Sequence, residues 1–347
     1  MVLRRGTIGY KIFKRATNKD YLRGVAHQFL FDDRRLRPAD LSKVKPEVRK
    51  AKSTIINFYS GTNNIGDLIP VLGISRMLDH TPDVWSMLDR NIDFDFVNRN
   101  YSKVIIGGAG LFDINFLPFW RKLLNECHLP IAIWGVGITA DVTSKDYIQI
   151  VSQVAQRCDL INVRDSLTAE IFDLDSPSIT ACPSLIYLQE YIERVDRNST
   201  TLLYSSHERS IARREKKQIK AEIAKIVPDY LFTDHMQYSF LGLEQIIGDY
   251  YCQSSFVVTT RLHGAIIAYG LGIPYLAINR APKTSSFVSE YGNGLMTDNP
   301  QEIGEIIKDR FKITADLNFK PVALQPIIDF GERVKEWSEF KVFVGQN

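Results

Sequence analysis

The stretch KVIIGGAG, residues 103–110, shows the local pattern from which the fold can be predicted. A short β-branched run is followed directly by glycines, which is typical of a buried strand that ends in a tight turn. The pattern recurs on both sides, as IAIWGVG at 131–137 and as TIINFYSGTNNIGD at 54–67. Segments with a helical period separate these runs. This alternation predicts parallel sheets with right-handed crossovers.

The same reading along the whole chain predicts two α/β halves. Strands are expected at 54–59, 103–106, 131–135 and 160–163, and then at 201–205, 256–260 and 274–278. The predicted divisions are a basic N-terminal segment (1–52), a first Rossmann-like domain (53–190), a second (199–312) and a C-terminal helix (321–347), of which 327–343 are amphipathic. The predicted fold class is α/β, with two parallel sheets facing a cleft. The ligand is expected at the carboxyl ends of the strands.

Composition and charge narrow the function classes. The 347 residues include 43 basic and 40 acidic side chains, and 45% are hydrophobic, as in globular proteins. So small a net charge argues against a dedicated nucleic-acid binder. Residues 1–52, however, hold 15 Lys or Arg against 5 Asp or Glu. This segment is predicted either to contact an anionic surface, such as membrane phospholipid or a lipid-linked diphosphate, or to form a solvated or packed arm.

The cysteines and apolar runs bear on compartment and cofactors. Cys127, Cys158, Cys182 and Cys252 are far apart and show no metal-ligand spacing, so we expect reduced thiols, no metal and no cofactor. No apolar run reaches the roughly 18–20 residues that span a bilayer, and the basic N-terminal residues precede no signal-peptide core. We therefore expect a cytoplasmic protein whose contact with the inner face of the membrane, if made, is peripheral.

Glycine-containing loops follow the predicted strands of the first half. In the loop 60–67, Gly66 would let the backbone approach a ligand, and the following helix would offer N–H groups to an anion. The alternative is a simple turn in which Asp67 is the N-cap or a first-turn residue of the helix. Gly107, Gly108 and Gly137 indicate close backbone contact, either with substrate or with a neighbouring helix.

Two further motifs follow first-half strands. Arg164 ends the strand at 160–163, and it either pairs with a carboxylate or points into the cleft. The DFD pattern at 93–95 is interpreted as a strand edge and not as a site for a metal-bound sugar nucleotide.

The block VVTTRLHG at 257–264 carries the strongest functional signal. Arg261 can bind phosphate or carboxylate with two parallel hydrogen bonds, and His263 can move a proton near neutral pH. Lys283 follows the next predicted strand, so in a parallel sheet it reaches the same edge. This grouping of Arg, His and Lys predicts a site for an anionic substrate.

Taken together, these motifs resemble those of the polysaccharide pyruvyl transferase family. The matching segments are NIGD at 64–67, GGAG at 107–110, WGVGI at 134–138, VRD at 163–165, RLHG at 261–264, GIP at 272–274 and Lys283. Their order and spacing match over about residues 54–300. The RLHG block with its downstream GIP and lysine is the most specific part.

The resemblance implies a GT-B-like fold and transfer of a pyruvyl group from phosphoenolpyruvate to a sugar of a cell-surface or exopolysaccharide precursor. The product would be a pyruvate ketal, with phosphate released. The implied catalytic residues are His263, Arg261 and Asp67. The expected substrate-binding residues are Arg164, Leu262, Lys283, Asn64, Gly66, Gly107, Gly108 and Gly137. The implied partners are phosphoenolpyruvate and a glycan or lipid-linked oligosaccharide acceptor.

Two departures from the family pattern keep other functions open. The chain reads ACPS at 181–184 where the family often shows Asp-Pro-Ala, so Cys182 replaces an acid, and Ala109 interrupts the glycine run. The alternatives are a GT-B-fold glycosyltransferase that uses a nucleotide sugar, and a non-catalytic glycan-binding relative. Fold alone does not separate these functions.

Overall fold

The computed structural model describes residues 38–139, 144–207, 211–238, 241–292, 294–311 and 322–339. Most of the predicted basic segment 1–52 lies outside these residues. Its described part, 38–52, contains two 3₁₀ turns, Leu41–Lys43 and Pro46–Val48. The end of the predicted helix 327–343 also lies outside them.

Six parallel strands form the first sheet. They are β1 (Ile55–Tyr59), β2 (Asp83–Ser86), β3 (Lys103–Phe112), β4 (Ile131–Ile138), β5 (Leu160–Val163) and β6 (Ser178–Ile179), in the order β2-β1-β3-β4-β5-β6. The central strands are buried throughout their length, which explains their nearly continuous apolar sequence. The helices of this half are α1 (Ile65–Met77), α2 (Phe94–Asn100), α3 (Leu117–Glu126), α4 (Lys145–Ala155), α5 (Ser166–Ile171) and α6 (Ser184–Leu188). Ile114–Phe116 and Gln189–Arg194 form 3₁₀ helices.

Five parallel strands form the second sheet. They are β7 (Leu202–Ser205), β8 (Leu231–Thr233), β9 (Phe256–Thr259), β10 (Tyr275–Ile278) and β11 (Leu295–Thr297), in the order β8-β7-β9-β10-β11. The helices of this half are α7 (Arg213–Ile226), α8 (Leu243–Gln245) with its π-helical continuation Ile246–Tyr251, α9 (Leu262–Gly270), α10 (Pro282–Glu290) and α11 (Ile303–Phe311), preceded by the 3₁₀ turn Pro300–Glu302.

The two sheets share one topology, and this topology positions the site. In the first sheet β1 lies between β2 and β3, and in the second β7 lies between β8 and β9. In each sheet, successive connections run in opposite directions from the gap beside β1 or β7. Such a switch point leaves a crevice at the carboxyl edge of the sheet, where α/β proteins bind their ligands. The loops after β1, β3, β7 and β9 are therefore the ones to inspect.

The last helix, α12 (Gln325–Glu339), packs against the first sheet although it follows the second half in sequence. The rings of Phe330 and Trp134 lie 5.6 Å apart in an edge-to-face arrangement. Trp337 Nε1 donates a hydrogen bond of 2.7 Å to Asp159. This packing covers the face of the first sheet that also carries α1. No helix among the described residues is long and apolar enough to cross a bilayer.

The predicted fold class is confirmed, because both sheets are parallel and alternate with helices. The turns predicted at the glycines are wrong. Strand β3 continues through Gly107 and Gly108 to Phe112, and β4 continues through Gly137 to Ile138. Close neighbours explain these glycines: a Cβ on Gly108 would lie 2.4 Å from Pro70 of α1.

The interpretation of residues 93–95 as a strand edge is also wrong. Asp93 is the N-cap of α2, and its carboxylate accepts the N–H of Phe96 at 2.9 Å. Four strands are missing from the sequence prediction, namely β2, β6, β8 and β11. Strands β6, β8 and β11 have only two or three residues, and β2 begins and ends with the polar residues Asp83 and Ser86, so none of the four shows an apolar run that can be recognised.

Candidate active site

Arg261 and His263 lie where β9 gives way to α9, at the switch point of the second sheet. Arg261 occupies the N-cap position with extended backbone, and its Nε donates a hydrogen bond of 2.8 Å to the carbonyl of Ser206, directly after β7. The two loops at this switch point are therefore joined by the arginine. No described side chain caps α9. Its first N–H groups and its positive dipole end therefore suit an anion.

His263 lies at the junction of the two halves. Its ring packs on Gly66 of α1, where a Cβ would lie 2.5 Å from His263 Nδ1. Its Nε2 is buried and finds no hydrogen-bond partner in the described part of the chain. Burial, together with the charges of Arg164, Lys283 and Arg261, holds the pKa of His263 well below its usual value. The imidazole is therefore neutral near pH 7.

Lys283 lies in the first turn of α10, which follows β10, at the same edge of the sheet as Arg261. Burial and the nearby charge of Arg164 lower its pKa to about 8, although the carboxylates of Asp113 and Asp67 oppose the shift. The helix begins at Pro282 after Ala281, and no side chain of the described residues caps it. The lysine and this helix end add positive potential to the site.

Arg164 takes the first of its two alternatives, pairing with a carboxylate. It is only 4% exposed, its Nε lies 3.3 Å from Asp165, and it donates a hydrogen bond of 2.6 Å to the carbonyl of Ile138. Its guanidinium packs on Gly137, where a Cβ would lie 2.3 Å from Nε. Its charge still lowers the pKa of both His263 and Lys283. Arg164 is therefore a paired arginine whose positive charge still acts on the two titratable groups of the site.

Two carboxylates balance these cations. Asp67 lies in the first turn of α1 and accepts a hydrogen bond from Thr62. Burial raises the pKa of Asp67, against the hydrogen bonds of Thr62 and Ser60 and the charges of Arg261 and Lys283. Asp113 directly follows β3 and helps to keep Lys283 protonated. The sequence analysis missed Asp113, although its position after a switch-point strand could have indicated it.

The N-terminus of α1 does not offer the anion cradle that the sequence suggests. Asn64 caps the helix by accepting the N–H of Gly66 at 3.1 Å. The N–H of Ile65 donates to the carbonyl of His235 at 3.0 Å. The first N–H groups of α1 are thus already bonded within the protein. Gly66 is required for a different reason, the close approach of His263.

Three other predicted binding residues are packed against protein atoms. A Cβ on Gly107 would lie 2.6 Å from the carbonyl oxygen of Trp134, and one on Gly108 would meet Pro70. For these two glycines the structure favours the second alternative, close packing within the protein. The side chain of Leu262 belongs to an apolar core that contains residues of both halves. Of the predicted site residues, it is the cations Arg164, Lys283 and Arg261 that lower the pKa of His263, in addition to burial.

Cys182 lies after β6 and is 1% exposed. Its Sγ is 3.1 Å from Ser184 Oγ, and burial raises the pKa of the thiol. At the position of the family's acid, this chain therefore holds a neutral, buried group.

The sequence profile of the family described as polysaccharide pyruvyl transferase matches residues 19–282, most of the chain. No curated protein matches the sequence.

Solved structures with a similar fold include a UDP-GlcNAc 2-epimerase from Methanocaldococcus jannaschii in complex with UDP-GlcNAc and UDP. It shares 11% identity over 82% of this chain and 98% of its own, with a TM-score of 0.52. The S. aureus protein MnaA, solved with UDP, shares 11% identity over 82% of this chain and 96% of its own, with a TM-score of 0.51. At this identity the similarity shows the fold alone, which is GT-B-like.

Proposed function

The chain belongs to the polysaccharide pyruvyl transferase family, and on that premise we propose that it transfers a pyruvyl group from phosphoenolpyruvate to a sugar. The acceptor is a glycan or lipid-linked oligosaccharide precursor of a cell-surface or extracellular polysaccharide. Two of its hydroxyl groups become a pyruvate ketal, and inorganic phosphate is released. The reaction as proposed uses no metal and no organic cofactor.

One observation carries the proposal: three cations act on a neutral histidine whose Nε2 has no partner within the described residues. The cations are Arg164, Arg261 and Lys283, and each lowers the pKa of His263. Phosphoenolpyruvate bears up to three negative charges on a small frame, so it requires cationic groups and not an apolar pocket. The uncapped ends of α9 and α10 supplement these side chains.

The chemistry requires one acid and one base. A proton is added to C3 of the donor, so that the methylene becomes a methyl group and C2 becomes electrophilic. One sugar hydroxyl loses its proton and forms a bond to C2. The bond from C2 to the phosphate oxygen then breaks, and phosphate leaves with the electron pair. The second hydroxyl forms the other bond to C2, and its proton departs with the phosphate.

His263 is assigned as the acid and Asp67 as the base. Burial and the three cations together hold His263 neutral. The bound anion offsets the charges of the cations, so the pKa of His263 rises and the imidazole takes up the proton that it delivers to C3. Asp67 lies in α1 across the junction, and a carboxylate with a raised pKa is a stronger base toward a sugar hydroxyl.

Donor binding by Arg261 provides the test. Arg261→Lys keeps the charge but loses the planar fork, so we expect the Kd for phosphoenolpyruvate to rise about 10- to 100-fold, as for the loss of a charge-assisted hydrogen bond. Arg157→Lys is the matched control. Arg157 also donates to main-chain carbonyls, those of Leu124 and Cys127, but it precedes β5 and therefore lies at the amino-terminal edge of the first sheet. Calorimetric titration of both variants measures the difference.

The same titration separates the rival functions. UDP is the comparison ligand, because both structural neighbours were solved with it. Heat with UDP and none with phosphoenolpyruvate would favour a nucleotide-sugar glycosyltransferase. Donor binding without phosphate release, across a panel of hexose and N-acetylhexosamine glycosides, would favour a non-catalytic relative.

A further inference from the structure

His235 has a backbone conformation that is uncommon for residues other than glycine. It follows β8 with φ of +61°, in the left-handed region, and its side chain is fully buried. Residues other than glycine adopt this conformation at an energetic cost, and they keep it where the surroundings enforce it. Such residues often lie at functional sites.

Two hydroxyl groups hold the imidazole of His235. Its Nε2 lies 2.9 Å from Ser205 Oγ and 2.6 Å from the hydroxyl of Tyr251, on the π-helical turn. Ser205 in turn lies under the first turn of α9, since a Cβ on Gly264 would be 2.9 Å from its Oγ. Burial and the charge of Arg261 hold the pKa of His235 well below its usual value. The neutral ring is thus fixed beneath the helix that carries His263.

The main chain around His235 binds the other half of the protein. Its carbonyl accepts the N–H of Ile65, the first residue of α1, at 3.0 Å. Gln237 N–H donates to the carbonyl of Asn63 at 2.8 Å, and Asn64 and Met236 form an antiparallel bridge. A loop of the second half is therefore hydrogen-bonded to the residues just before Asp67.

We infer that His235 is a positioning residue, which sets the N-terminus of α1, and with it Asp67, against His263. The imidazole of His235 holds its loop against Ser205 and Tyr251 of the second half, and the carbonyl of His235 holds the first residue of α1. The inference rests on the proposed function only in that it treats Asp67 and His263 as the base and acid of one reaction. No motif points to His235, since its partners come from three separate elements.

Hydrogen exchange of the full-length chain tests the contact without any substrate. Asparagine tolerates the left-handed region, so His235→Asn keeps the turn but removes the ring from Ser205 and Tyr251. We expect the amide of Ile65 to exchange at least about tenfold faster, as a locally weakened contact opens more often. His128→Asn, an exposed histidine between α3 and β4, is the matched control and should leave this rate unchanged. An unchanged rate in folded His235→Asn would overturn the inference.

Kinetics separate positioning from simple stabilisation. We expect kcat to fall about tenfold or more in His235→Asn while the Kd for phosphoenolpyruvate stays within about threefold, because the cations of the donor site are untouched. A purely structural role would instead lower the melting temperature and leave the kcat of folded enzyme unchanged, which would contradict the inference. Tyr251→Phe removes a single hydroxyl and should give a smaller change of the same kind. If His235→Asn does not fold, the kcat and the melting temperature of Tyr251→Phe test the inference instead.

The outcomes also distinguish the inference from the proposed function. Faster exchange at Ile65, in a chain whose wild type releases no phosphate from phosphoenolpyruvate, would support the contact and reject the function. Pyruvyl transfer whose kcat does not change in His235→Asn or Tyr251→Phe would support the proposed function and reject the inference about His235.

Discussion

Replacing Gly66 by alanine would force α1 and the ring of His263 apart. The added Cβ would lie 2.5 Å from Nδ1 and 2.6 Å from Cγ of His263. Comfortable contact between carbon atoms begins at about 3.5 Å, so the two groups must separate by roughly 1 Å. Neither yields easily, because α1 is hydrogen-bonded at Ile65 to the second half and His263 lies in the first turn of α9.

The expected loss of activity exceeds the loss of stability. Overpacking a well-packed contact costs about 1–3 kcal/mol, whereas exchanging glycine for alanine inside a helix gains about 1 kcal/mol. The free energy of unfolding should therefore fall by at most about 2 kcal/mol. A displacement of about 1 Å in a reacting group can lower the rate about 100-fold. We expect kcat to fall about 10- to 100-fold in a protein that remains folded.

The assay compares two glycine-to-alanine variants. Phosphate release from phosphoenolpyruvate with the glycoside panel gives kcat, and calorimetry gives the melting temperature. Gly304→Ala in α11 is the control, since its Cβ would lie 3.2 Å from the flexible end of Glu222 and would meet no described residue of the site within 4 Å. That variant should be fully active and no less stable than the wild type. Turnover by Gly66→Ala within about twofold of the wild type would refute a close-fitting acid and base across the junction.

Three further predictions address single groups of the site. His263→Gln keeps a hydrogen-bonding side chain but cannot titrate, so kcat should fall about 10²–10⁴-fold at an unchanged melting temperature; wild-type turnover would remove His263 from the mechanism. Lys283 has a pKa of about 8 and carries its charge below that value. The affinity for phosphoenolpyruvate, titrated between about pH 7 and 9.5, should therefore fall by up to about tenfold per pH unit above pH 8, while Lys283→Arg, which stays charged, should remove this dependence. Cys182→Ser should keep turnover within a few-fold, because the thiol is buried and neutral and serine can retain the contact with Ser184; a loss near a hundredfold would assign the thiol a role.

Local sequence patterns are sufficient for the fold class but not for every element. The runs that became β1, β3 and β4 are apolar over five to ten residues, so their burial on both faces can be predicted from composition. Strand β2 is different, because it begins with Asp83, a charged residue that is 1% exposed. Its carboxylate accepts hydrogen bonds from the Tyr101 hydroxyl at 2.8 Å and the Lys52 N–H at 2.7 Å. Partners so far away in sequence give no local signal.

The candidate site likewise contains residues that local sequence patterns predict and residues that they do not. Arg261, His263, Lys283 and Asp67 follow or begin recognisable strands and helices, so parallel topology places each of them at the carboxyl edge of its own sheet. His235 has no motif, and its role depends on Ser205, Tyr251 and Ile65, which belong to three other elements. The glycines were correctly singled out as places of close approach. What approaches each of them could not be predicted from the sequence.

By itself, the sequence determines that the chain is α/β, that its strands run parallel, and that an arginine, a histidine and a lysine gather at strand ends. These properties follow from apolar periodicity and from the handedness of crossover connections, which act over short stretches of chain. Only the tertiary structure decides that His263 packs on Gly66 and that Pro70 packs on Gly108. It also decides that the first N–H groups of α1 are bonded within the protein. The physical reason is that close packing and hydrogen bonding join residues far apart in sequence, and their geometry exists only once both halves are folded together.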